Sequence, residues 1–162
     1  MIDLCIKIVL SCNIPFTYRP FQQAHCPPKL VNPMNKDIQF EDMPFILNET
    51  YGEWFDKLPH LILFYCKFNK SSYEDALFQQ YNIPHPDTLQ NAVKKRKAEF
   101  LAGRYCANKV LEAHAIHNFI VNTGEHRSPQ WPDDICGTIS HSNDHAVAVD
   151  CKKTYYTGIG ID

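Results

Sequence analysis

The sequence predicts an α+β fold: one long helix packed on a small, mostly antiparallel sheet. Three observations carry that expectation. A helical pattern runs through about residues 89–117, where Phe100, Leu101, Val110 and Leu111, with small Ala107 between them, recur near a 3.6-residue period. Three short strand-like runs, "GTISHS", "HAVAVDC" and "YTGIGID", follow it, separated by turn residues. Upstream, the β-branched and aromatic run "HLILFYCKF" at residues 60–68 reads as a further strand.

Taken in order, residues 1–57 form a divergent, loop-rich segment, because the four prolines of "YRPFQQAHCPPKLVNPMNK" break any regular element. Residues 58–162 carry the folded domain. After the 60–68 strand, Ser71 or Ser72 is placed to cap a short helix to about Tyr81, with Glu74 and Asp75 in its first turn. "NIPHPDT" is a turn, since its two prolines oppose helix. Within the long helix, Arg104, Asn108 and Glu112 lie along a polar side. Gly103 in mid-helix costs about 1 kcal/mol relative to Ala, so something is expected to pack close to its backbone.

Composition bounds the function. At 162 residues with 44% apolar and 21% charged residues, the chain suits one soluble domain with a real core. A net charge of −2 argues against nucleic acid or a membrane surface as the partner, and "KKRK" from Lys94 to Lys97 is the one tight basic cluster. Seven dispersed cysteines without CxxC spacing read as reduced thiols of a cytoplasmic protein. The apolar opening stretch is interrupted by Asp3 and Lys7, and no segment reaches transmembrane length.

The second half collects groups suited to a polyphosphate. Arg forks grip phosphate oxygens, Ser and His donate further hydrogen bonds, and a carboxylate holds Mg²⁺ against them. Arg96 and Arg104, then His126 and Arg127, then Ser140, His141 and finally Asp162 provide such a set in chain order. Each has a plainer explanation. "KKRK" alone would be a solvated turn, and Arg104 a surface residue paired with Glu112 or a neighbour. His141 and His145 are four apart, but on a strand and turn that spacing does not make a zinc pair. Cys136 and Cys151 read as small core residues, and Tyr155 and Tyr156 as strand packing. Trp131 serves equally as an adenine platform or as a lid over the sheet edge.

The segments "KKRKAEFLAGRYCANKVL", "HRSPQWPDDICGTISHS" and "GIGID" stand in the order and spacing of the surfactin-type 4′-phosphopantetheinyl transferases, and most resemble their enterobactin-synthase branch. The resemblance covers about residues 58–162. It implies one half of a pseudo-two-fold fold with a coenzyme A cleft between the halves. It also implies transfer of 4′-phosphopantetheine from coenzyme A to a serine of a carrier protein, within siderophore-type non-ribosomal peptide synthesis. On that resemblance Arg96 and Arg104 contact coenzyme A phosphates, Ser140 and His141 touch the 3′-phosphate and pyrophosphate region, and Asp162 is a Mg²⁺ ligand. Arg127 lies where relatives use a basic residue near the 3′-phosphate, although some place a lysine where this chain has Thr123.

The family's general base and second metal carboxylate follow the "GID", and this sequence contains neither. The expectation is therefore an amino-terminal part, truncated at that motif, with no catalytic base and no activity alone. The alternative is a non-catalytic coenzyme A or nucleotide-binding fragment. A half of this kind is also expected to bare an apolar face and to aggregate or dimerise.

Overall fold

The computed structural model describes residues 8–11, 43–52 and 60–161. Its main layer is a four-stranded antiparallel sheet in the order β2-β3-β5-β4, built from β2 (Ile46–Tyr51), β3 (Ile62–Phe68), β4 (Ile135–Ser142) and β5 (His145–Lys152). Two helices, α1 (Ala76–Gln80) and α2 (Lys94–Ala113), come between β3 and β4 in the chain. A separate antiparallel pair joins β1 (Ile8–Ser11) to β6 (Gly158–Ile161). The fold is α+β, as expected. The strand β2 falls in the segment read from sequence as loop-rich.

Alternation divides the sheet's two faces. Phe64, Cys66 and Phe68 of β3, with Ala146 and Ala148 of β5, enter the core beneath α2. Leu63, Val147, Val149 and Cys151 point the other way and pack against Tyr156, Ile159 and Ile161. Small residues explain how closely the helix lies on the sheet. Ala98, Ala102, Cys106 and Ala107 of α2 are all fully buried, as is Ala148 of the central strand β5. Gly103 continues the theme: a Cβ there would lie 2.9 Å from Ile139 Cγ2 on β4. The close approach expected at this glycine is thus a helix–strand contact.

Local chemistry moved several boundaries. The long helix runs from Lys94 to Ala113, shorter at both ends than the periodicity predicts. Before it, Asp87–Leu89 forms a 3₁₀ turn within the segment read as a simple turn, and Leu89 is buried. At its end Ala115 adopts φ 59°, while the amides of Ala115 and Ile116 donate to the carbonyls of Glu112 and Leu111. That is a Schellman stop, with Ala where glycine is the usual residue. The short helix begins at Ala76, not near Ser71 or Ser72. Asn69 captures both serines, its Oδ1 accepting from the Ser71 amide and its Nδ2 donating to Ser72 Oγ.

The four described cysteines behave as core residues. Sγ atoms of Cys66 and Cys106 lie 3.4 Å apart between β3 and α2, and those of Cys136 and Cys151 lie 3.3 Å apart across β4 and β5. An open apolar face is not seen among the described residues. The exposed large hydrophobics Tyr51, Val93, Ile120 and Tyr155 sit on four different segments.

One buried charge stands apart from the expected site. Asp150 of β5 is fully buried; its Oδ1 lies 3.0 Å from His114 Nε2 beyond the end of α2, and its Oδ2 has no partner among the described residues. Burial pushes its carboxyl up to about 6, against an ordinary 3.8, despite the His114 contact. A raised folded-state value means stability that is full below about pH 4 and lost as pH rises through about 6. The loss at neutral pH is on the order of 3 kcal/mol, roughly half of it above pH 5. Asp150→Asn should remove this slope, so the variant gains on the wild type by about 1–2 kcal/mol between pH 5 and 7.5. Urea unfolding at the two pH values tests it, and parallel changes in both proteins would count against it.

Candidate functional site

Residues four apart on a helix share a face, and on α2 one such row is Arg96, Phe100, Arg104 and Asn108. The row meets β4 at its start. Arg96 Nη1 lies 3.3 Å from His141 Nε2, so two of the expected phosphate ligands, 45 residues apart in sequence, touch directly. Along β4, Ile139 and His141 face α2, and Gly103 gives Ile139 the room to let the strand approach.

Arg104, two turns on, departs from the plainer of its two sequence readings. It is not a surface residue paired with Glu112, which instead bonds Lys109 at 2.9 Å. Its residue is 7% exposed. Its guanidinium sits 4.5 Å from the centroid of the Phe100 ring, and Nη2 donates to Thr123 Oγ1 at 3.1 Å and to the Asn122 carbonyl at 3.4 Å. Nε is buried without a partner, and no salt bridge to Arg104 occurs among the described residues. Burial, with the charge of Arg96 adding to it, lowers the guanidinium to about 10. A desolvated cation with a free donor and no carboxylate is strained electrostatically until an anion arrives.

Beside it opens a cavity of about 390 Å³, with Phe100, Arg104, Asn108, Asn122, Thr123 and Gln130 among its walls. The wall carrying Thr123 is held by an isolated bridge between Thr123 and Pro129 and by the Gly124 amide donating to the Ser128 carbonyl. That loop contains Arg127, exposed on the 3₁₀ turn Glu125–Arg127, where both His126 and Arg127 have positive φ. Trp131, just beyond, covers β4. A Cβ at Gly137 would lie 2.7 Å from its ring, so this tryptophan packs against the strand as the lid reading expects.

The remaining expected residues are less closely gathered. Ser140 pairs with Val147 in the strand register, and alternation turns its side chain to the face opposite His141. Asp162 lies outside the described residues. Two contributors were not singled out in advance. Thr123 receives Arg104, and Glu99, 8% exposed, brings Oε2 to 3.8 Å from His141 Nδ1. Glu99 lies three residues after Arg96 in "KRKAEF", a spacing that puts both on adjoining parts of one helix face. Burial lowers the His141 imidazole, Glu99 raises it, and Arg96 and Lys95 lower it, for a net downward shift.

An α+β unit with one arginine set against a histidine, and a second arginine buried beside a cavity, is what this geometry defines. Comparison with known proteins narrows it. Residues 85–150 match the 4′-phosphopantetheinyl transferase N-terminal domain. Enterobactin synthase component D of Salmonella austin is 41% identical over 80 residues, covering 49% of this chain and 32% of that protein. Its counterpart in Salmonella typhimurium is 38% identical over 93 residues, covering 56% and 38%. The 4′-phosphopantetheinyl transferase Npt of Nocardia iowensis is 28% identical over 74 residues, covering 46% of this chain and 33% of that one. The chain thus spans about a third of the length of these curated relatives. Over that part it is similar to 4′-phosphopantetheinyl transferases, as the motifs implied.

Proposed function

We propose that this chain supplies the coenzyme A-binding wall of a 4′-phosphopantetheinyl transferase, as one half of a pseudo-two-fold enzyme. The observation that carries the proposal is Arg104: a buried guanidinium with no carboxylate partner, on the same helix row as an Arg96–His141 contact. In this reading Arg96, Arg104 and His141 neutralise the phosphate oxygens of coenzyme A, Arg127 lies at the margin of the site, and Ser140, on the opposite face of β4, contributes no side chain to it. A carrier-protein serine oxygen then forms a bond to the β-phosphorus, the pyrophosphate P–O bond breaks, and adenosine 3′,5′-bisphosphate leaves. The serine proton passes to a general base.

Among the described residues no group of three or more His, Cys, Asp or Glu could hold a metal ion. On the resemblance Asp162 would be a ligand to Mg²⁺, and the ion would neutralise charge on the pyrophosphate. No helix among the described residues is long and apolar enough to cross a membrane. In this reading the enzyme is cytoplasmic and acts on a carrier protein, and similarity to enterobactin synthase component D favours a carrier of siderophore-type peptide synthesis.

Isothermal titration of coenzyme A into the chain, with and without Mg²⁺, tests the binding. The expected result is saturable binding, weaker for dephospho-coenzyme A, which lacks the 3′-phosphate. Absence of coenzyme A binding would overturn the proposal. Mass spectrometry of a carrier protein incubated with chain and coenzyme A tests transfer. Binding without any mass gain on the carrier is the result expected for this chain alone, and a mass gain would overturn the expectation that it is inactive by itself.

A further inference from the structure

Glu99 is a buried carboxylate beside cations that are placed to receive phosphate. It is 8% exposed, with Oε2 3.8 Å from His141 Nδ1 and Oε1 3.9 Å from Lys95 Nζ. An acid there repels an incoming anion, and burying it is costly unless its partners compensate. Its position relative to the imidazole supplies a reason for it. The ring is flanked on one side by the Glu99 carboxylate and on the other by Arg96 Nη1, 3.3 Å from Nε2.

We propose that Glu99 is a positioning residue that holds His141 with its Nδ1 proton toward the carboxylate, so that Nε2 gains a proton when a phosphate oxygen displaces Arg96 from it. This rests on the assignment of Arg96 and His141 to a phosphate site. In the empty site Nε2 is an acceptor for Arg96. When the anion binds, Nε2 takes up one proton from solvent and its new N–H donates a hydrogen bond to a phosphate oxygen, so that an imidazolium stands between two negative groups. The groups facing this ring are Lys95, Arg96 and Glu99 of α2, while Ala146 is its neighbour across β5. Burial and the two cations oppose the imidazolium, and Glu99 alone among them favours it. The coupling is electrostatic: at 3.8 Å the carboxylate is beyond hydrogen-bond distance from Nδ1 and acts on the ring through its charge.

The experiment uses the full chain, adenosine 3′,5′-bisphosphate as probe, and Glu99→Gln, which keeps shape and removes charge. Calorimetry in buffers of different ionisation enthalpy reads the proton uptake. The wild type should take up a fraction of a proton near pH 7.5, and Glu99→Gln little or none, with affinity about threefold to tenfold weaker. NMR of the His141 ring without ligand should show its titration moved to lower pH in Glu99→Gln. In a His141→Gln background the sign should reverse: Glu99→Gln should leave affinity unchanged or tighten it, since only the repulsion is then removed. Glu99→Asp, which keeps the charge, should retain proton uptake, and it serves as the comparison if Glu99→Gln folds poorly. Equal affinity and equal proton uptake in wild type and Glu99→Gln would overturn the role of Glu99 and leave the phosphate site standing. No binding to the wild type, with the His141 titration still responding to Glu99, would overturn the site and with it this use of the pair.

Discussion

Arg104→Met is expected to remove most coenzyme A affinity while leaving the fold nearly as stable as before. A charge-assisted contact from a buried guanidinium to phosphate is worth about 2–3 kcal/mol, so the loss should be roughly 30- to 150-fold in Kd. The fold should tolerate the change because the cation is not a structural keystone. Burial lowers it to about 10, which corresponds to a cost on the order of 3 kcal/mol for keeping it charged there. Met removes that cost. It also gives up the stacking on Phe100 and the bonds to Thr123 and the Asn122 carbonyl, both on exposed residues that water can satisfy. The two sides should nearly cancel, to within about 1 kcal/mol by the usual worth of such contacts. Thermal melting beside calorimetry separates the effects. Binding retained within threefold would remove Arg104 from the site, and a large fall in Tm would mean that its role is structural.

Gly103→Val should do the reverse, damaging the fold first and the site as a consequence. Even a bare Cβ would stand 2.9 Å from Ile139 Cγ2, and Ile139 is a β-branched residue in a paired strand with little freedom to turn aside. The two further methyl groups of Val overpack the contact, at about 2–3 kcal/mol. For a chain of this size that lowers Tm by roughly 5–10 °C. Pushing α2 from β4 also separates Arg96 from His141, so anion affinity should fall with it. Ile139→Ala in the same chain should restore much of both by making room. A Gly103→Val protein that melts with the wild type would show that the helix–strand contact is not as tight as described.

Much of the fold was legible because its signals are local. The alternation of "HLILFYCKF" and "HAVAVDC" and the small-residue surface of "AEFLAGRYCANKVL" each follow from a few neighbouring residues, and each became the expected element. The ends of those elements were less legible. Asn69 competes for the serines that would have capped α1, and Ala115 accepts a backbone angle normally left to glycine. Such contests are decided by a few tenths of a kcal/mol to about one, below what a pattern can resolve.

The site divides in the same way. Its chemistry, a cluster of arginines with a Ser-His pair, can be read in chain order because residue type alone says which groups grip phosphate. The motif order around them also carried the family resemblance. Which of those groups meet is a matter of the packed chain. Arg104 reads as a polar-face residue on a helical wheel, and it is buried because the loop bearing Thr123 folds over it. Glu99 joins His141, and Ser140 turns away from it, because β4 lies against α2 in one particular register. Periodicity reports the face a residue occupies on its own element. What covers that face depends on contacts between segments 18 to 45 residues apart, and those exist only once the sheet and helix have closed on each other.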